Sequence, residues 1–319
     1  MWLLALAALL VVIAVAINQA EGALHVWPER RLVVDPKDAA AVARETGSQW
    51  EEVEVRASDG VALRGWHFLP RQWRGRAVLA LHGFTDSRRG MLPHVELLLR
   101  HGYAVLIPDS RAHGRSEGTL VTFGLVEQAD VPVWADWLVS RLGINEYFAI
   151  GNSMGAAVLV EALRRERRVK AAILECCFTS FPEIALDRLA GRFKVPRVVG
   201  RVVLLPVSVA GFTYIRWRYG LDLRRLRPVD TLREVRIPLL LIHGTGDQAI
   251  PYRHSRRLHE ANPGSTVLWE VPGAGHVSAI TAASAEYERR LLGLFDDQTK
   301  IEDEHDRLGG DLHLRDLKS

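Results

Sequence analysis

The 319-residue chain predicts an α/β fold: a mostly parallel sheet with helices on both faces and a small helical cap inserted before one of its last strands. Three observations carry this. From about residue 77 onward, short apolar strands alternate with helical patterns, and right-handed crossovers then require parallel strands covered on both faces. The strands AVLAL (77–81) and YAVLIP (103–108) are continuously apolar, as strands buried on both faces are. The alternation breaks once, from about Phe178 to Pro238, over a stretch too long for a plain loop.

In chain order, Met1 to Ile17 is an apolar run without a charged side chain. As a helix rising about 1.5 Å per residue it is just long enough to cross a bilayer core. Residues 1–20 are expected to form an N-terminal hydrophobic anchor. The rival is a cleaved signal peptide, because Ala14-Val15-Ala16 resembles a small-residue cleavage site, and a buried core helix is a third reading. Against the signal peptide, no Lys or Arg opens the run. Membrane anchorage with undetermined sidedness is therefore expected, with secretion as the alternative. Arg30 and Arg31, the first cationic side chains, follow the run and lean toward a cytoplasmic domain. Residues 21–50 read as a connector with a helical patch from Lys37 to Glu45.

Glu51 to Ala57 and Val61 to Leu69 flank the turn signal Ser58-Asp59-Gly60 and predict a hairpin at one sheet edge. Then come the strand 77–81, a helix over 92–100, the strand 103–108, a helix over 126–142, a strand at 147–150, a helix over 156–165 and a strand at 171–174. Residues 178–237 are the expected cap. Beyond it follow a strand at 239–242, a helix over 252–260, a strand at 266–271 and a helix over 282–295. The core thus comprises residues 51–177 and 238–296. The charged residues 297–319 are expected to be a frayed tail.

Composition narrows the function. At 48% hydrophobic and 25% charged residues this is an ordinary globular enzyme composition. A net charge of +3, with no basic run interleaved with aromatics, gives no reason to expect nucleic acid. Cys176 and Cys177 are the only cysteines and are adjacent, so no disulfide staples distant segments. No Cys/His cluster has metal-ligand spacing, and no structural metal is expected. The oligomeric state is left open.

Two stretches match G-x-S-x-G: Gly114 to Gly118 around Ser116, and Gly151 to Gly155 around Ser153. A nucleophilic serine needs a sharp strand-to-helix turn, with flanking glycines where side chains would collide. Ser153 follows Tyr147-Phe148-Ala149-Ile150 directly and precedes a helix opening on Ala156-Ala157, and that helix N-terminus favours an oxyanion. Ser116 lies beyond its strand and precedes no helix. Ser153 is the expected nucleophile and Ser116 the decoy. The base that a serine hydroxyl needs is expected at His276, in the Gly-rich loop after the last strand. Asp247, after the strand 239–242, is the expected acid orienting His276, with Glu175 as substitute. The oxyanion hole is expected from the backbone N–H groups of Met154 and Phe84, with Gly83 allowing the turn and His82 structural.

His82-Gly83-Phe84, Asp109 to Ser116, Gly151-Asn152-Ser153-Met154-Gly155, Gly244-Thr245-Gly246-Asp247 and Gly275-His276 stand in family order over residues 50–295. In them the chain resembles the α/β-hydrolase superfamily, within its esterase, monoacylglycerol-lipase-like and serine aminopeptidase-like (S33) group. Asn152 and the N-terminal apolar run depart from the usual pattern. The resemblance implies a serine hydrolase acting on carboxylic esters by two-step acyl transfer without a cofactor, the loop 109–116 being structural. Peptide or thioester cleavage, a cofactor-free haloperoxidase-like activity, and a non-catalytic binding role are the other readings. From Glu183 to Arg236 there are twelve Lys or Arg against five Asp or Glu, around the apolar stretch Val202 to Phe212. This is read either as a solvated face or as a surface for anionic lipid, the latter implying a lipid-like ester substrate.

Overall fold

The computed structural model describes residues 2–25, 32 and 34–296; Arg30, Arg31 and the expected tail 297–319 lie outside them. Helices α1 (Trp2–Leu24) and α2 (Pro36–Thr46) precede the hairpin strands β1 (Gln49–Arg56) and β2 (Ala62–Leu69). The core continues through β3 (Arg76–Leu81), α3 (Leu92–Arg100), β4 (Tyr103–Pro108), α4 (Asp130–Leu142), β5 (Tyr147–Asn152), α5 (Met154–Ala162) and β6 (Val169–Glu175). Helices α6 (Phe181–Arg192), α7 (Arg197–Val203), α8 (Leu205–Tyr219) and α9 (Pro228–Leu232) fill the interruption. The core then resumes with β7 (Leu239–Gly244), α10 (Arg253–Ala261), β8 (Thr266–Val271), α11 (Ala279–Ala282) and a helix, α12, over residues 284–296.

The eight strands form one sheet in the order β1-β2-β4-β3-β5-β6-β7-β8. β1 pairs antiparallel with β2, and β2 antiparallel with β4. Every pair from β4 to β8 is parallel. The sequence-predicted edge hairpin and parallel core are thus both present. Because strand side chains alternate between faces, β3 sends Leu79 and Leu81 into one core with Trp134, Leu138 and Leu159, and Val78 and Ala80 into the other with Val95, Leu98 and Phe295. Neither face is left to water, which is why these strands carry no polar alternation.

Helix α1 runs past the expected anchor and into the connector. Among the described residues no helix is long and apolar enough to cross a membrane, so the membrane-crossing helix expected over residues 1–17 is not found there. Its second half packs on protein instead. Ala16 joins Leu189, Leu204 and Val207 of the cap, and Ala20 and Leu24 enter the main core. Glu21 accepts hydrogen bonds from the Tyr214 hydroxyl at 2.5 Å and the Tyr219 hydroxyl at 2.8 Å, both on α8. The Val121 N–H donates to the Leu24 carbonyl at 2.8 Å. The first half leaves Trp2, Leu6, Leu9 and Leu10 exposed.

Candidate active site

β5 ends in the middle of the sheet, and the chain turns at once into α5. Ser153 sits in that turn at φ 53°, ψ −109°, a conformation costly for a residue with a side chain. The flanking glycines explain why the turn closes so tightly. A Cβ on Gly151 would stand 2.6 Å from the Ala156 Cα, and one on Gly155 would stand 2.3 Å from the Leu81 carbonyl oxygen. The collision expected from the sequence is therefore with the neighbouring helix and with β3.

The loops after β7 and β8 arrive at the same carboxyl edge. His276 Nε2 lies 3.0 Å from Ser153 Oγ, and His276 Nδ1 lies 2.7 Å from Asp247 Oδ2. A carboxylate only accepts, so Nδ1 carries the proton and Nε2 is left to accept from the serine hydroxyl. The amides of Ala249 and Ile250 donate to Asp247 Oδ1 at 2.7 and 2.9 Å. His243 Nε2 faces Oδ2 at 3.2 Å. Burial works against the Asp247 charge, but the hydrogen bonds from His243, His276 and Ile250 outweigh it and hold its carboxyl well below the usual carboxylate range.

The sequence-predicted nucleophile, base and acid are thus brought together, and the two rivals are not. The Ser116 hydroxyl donates to the Asp109 carbonyl at 2.8 Å and accepts from the Arg64 N–H at 2.8 Å, in the loop beside β2. Glu175 accepts from the Ala279 N–H at 3.0 Å, and burial raises its carboxyl to about 7. Its place is beneath the loop that bears His276. Beside it, Cys176 accepts a weak bond from the Val277 N–H at 3.4 Å.

The loop after β3 lies against the elbow, a Cβ on Gly83 standing 3.4 Å from the Ser153 Cβ. His82 fixes this loop. Its Nε2 accepts from the Ser110 N–H at 3.0 Å, so Nδ1 donates to the Gly83 carbonyl at 2.8 Å. Burial pushes His82 down to about 4, which keeps the ring neutral for that pair of bonds. Phe84, Ser153 and Met154 line one cavity of about 630 Å³. Phe123, Phe178, Phe181 and Phe212 add aromatic side chains to a wall that also carries aliphatic and polar ones.

The sequence reading missed two contributors to this cavity. Asn18, Gln19 and Glu21 of α1 form part of its wall, and Arg188 and Arg192 of α6 face into it. Helix α6 is tied to the core by Asp187, which bonds His254 at 3.0 Å and Arg253, while Glu183 bonds Arg257 and accepts from Thr179 at 2.8 Å. Among the described residues, two groups of donor side chains lie within metal-binding reach, Cys176–Asp247–His276 and Glu183–Asp187–His254. In the first, Asp247 and His276 are already bonded to each other; in the second, guanidinium groups occupy both carboxylates.

A fold of this topology, with serine, histidine and aspartate converging at the carboxyl edge of its sheet, defines an α/β hydrolase. The chain belongs to the alpha/beta hydrolase family, whose model matches residues 78–290. It is 27% identical to the protein YqkD of Bacillus subtilis over 245 residues, covering 76% of this chain and 78% of that one. It is 26% identical to the lysophosphatidylserine lipase ABHD12 of Rattus norvegicus over 239 residues, 64% of this chain and 54% of that one. Among solved structures it is similar in fold to the Pyrococcus furiosus esterase Pf2001, with a TM-score of 0.66, 23% identity, and coverage of 84% of this chain and 98% of that one. The family model and the lipase relative support a hydrolase, and the structural likeness supports the fold.

Proposed function

We propose that this protein is a serine hydrolase that cleaves carboxylic esters carrying an apolar acyl chain. The observation that carries the reading is the relay Ser153–His276–Asp247, with contacts of 3.0 and 2.7 Å, whose serine lines a cavity bearing several phenylalanines. Ser153 Oγ attacks the ester carbonyl while His276 Nε2 takes its proton, and Asp247 stabilises the resulting imidazolium. The N–H groups of Phe84 and Met154 hold the oxyanion, the latter at the N-terminus of α5. His276 then protonates the departing alcohol, and water attacks the acyl-enzyme by the same route to release the acid.

A lipid-like ester is supported by three features. The cavity wall includes several phenylalanines, apolar side chains are exposed both on the first half of α1 and at Val202, Val203, Leu205 and Val209 of the cap, and one relative is a lipase. Such a face suits contact with a lipid surface.

Hydrolysis of matched acyl esters, thioesters and aminoacyl amides by the full chain tests the substrate class. The expected result is the highest kcat/KM on esters, rising from acetyl to medium or long acyl chains by about tenfold or more, as buried methylenes contribute. Preference for acetyl esters, or for amides, would contradict it.

A further inference from the structure

We propose that Arg188, with Arg192 one helical turn further on, determines specificity by receiving an anionic group, a carboxylate or phosphate, carried on the ester substrate. The inference rests on the hydrolase reading above and adds the charge of the substrate to it. Both arginines line the cavity that contains Ser153, and their i, i+4 spacing puts them on one side of α6.

Their isolation is the telling feature. The two acids on the same helix are engaged elsewhere, Glu183 with Arg257 and Asp187 with Arg253 and His254. Among the described residues neither Arg188 nor Arg192 has an ion pair or a hydrogen bond. Protein atoms crowd the Arg188 guanidinium although it stays open to the cavity. Burial accordingly lowers its pKa, opposed only by the charge of Asp247.

Asp247 is no partner, since its oxygens are already taken by His276, His243 and the amides of Ala249 and Ile250. The acid on the cavity wall, Glu21, is occupied by the Tyr214 and Tyr219 hydroxyls and faces His25. A guanidinium offers five donors, and those of Arg188 and Arg192, exposed where they line the cavity, are free to meet a ligand. A carboxylate or phosphate accepts two of them side by side. The substrate class is thus an acyl ester with an apolar chain and a fixed negative charge.

The test compares kcat/KM of the full chain on two pairs that differ mainly in charge. One pair is 4-methylumbelliferyl octanoate and the 4-methylumbelliferyl monoester of suberic acid. The other is 1-oleoylglycerol and 1-oleoylglycerol 3-phosphate. Wild type is expected to favour the anionic member of at least one pair by about tenfold or more, as a charge-assisted bond would give. Arg188→Gln should lose that preference, Arg188→Lys should keep part of it, and Arg192→Gln should weaken it less. The pair that responds identifies carboxylate or phosphate.

No preference in wild type, or an equal fall on both members in Arg188→Gln with a lowered melting temperature, overturns the proposal in favour of a structural arginine. Fluorophosphonate labelling of wild type separates this from failure of the hydrolase reading. Labelling without charge preference rejects only the anion site, whereas neither labelling nor turnover rejects both.

Discussion

Ser153 pays for its position in backbone strain, held at φ 53° by a glycine on each side that neighbouring backbone has no room to see enlarged. The same crowding buries Glu175, whose carboxyl is raised to about 7 beneath the His276 loop. Its folded pKa exceeds the ordinary 4.5, so the folded state binds the extra proton. Stability from this group is fully present below about 4.5 and is lost as pH rises toward 7. Glu175→Gln keeps the shape, removes the titration and is expected to stabilise the fold by about 2–3 kcal/mol at pH 8, with little effect at pH 4.5. Urea unfolding at the two pH values checks this. An equal effect at both would remove Glu175 as a buried, proton-binding acid.

At the scale of elements, α1 and the cap are the parts that strand–helix alternation left undetermined. The residues 18–24, NQAEGAL, look like the polar start of a connector. What makes them a cavity wall is the bonding of Glu21 to Tyr214 and Tyr219, which lie 193 and 198 residues away and have no local sequence signature. Arg188 was hidden for a similar reason. A count of twelve cations against five anions across the cap cannot distinguish a side chain facing the cavity from one in solvent. Removing both hydroxyls, Tyr214→Phe with Tyr219→Phe, is expected to lower stability by about 1–2 kcal/mol, since hydrogen bonds to a charged group are lost at a partly exposed site. The loss should vanish in a Glu21→Gln background if α1 docks through this carboxylate. A double-mutant cycle followed by thermal unfolding measures it, and full additivity would contradict the docking.

Over the whole molecule, the hydrolase core was legible because its signals are local. Continuous apolar strands, the glycines around Ser153 and the loops bearing Asp247 and His276 each follow from nearby residues, and right-handed crossovers carry all three loops to one edge. The edge hairpin was equally plain from its turn. The decoy Ser116 was separable from Ser153 by the lack of a helix after it, in keeping with a hydroxyl held by backbone hydrogen bonds. For the N-terminal helix, hydropathy registers apolar length but not the protein surface against which Ala16, Ala20 and Leu24 pack.

Whether Ser153 is an activated nucleophile is read out by covalent labelling with a fluorophosphonate probe. Stoichiometric labelling of the full chain is expected, with complete loss in Ser153→Ala and a fall of about 10³-fold or more in labelling rate for His276→Ala. Equal labelling of wild type and Ser153→Ala, or no labelling of a folded wild-type chain, would contradict an activated Ser153.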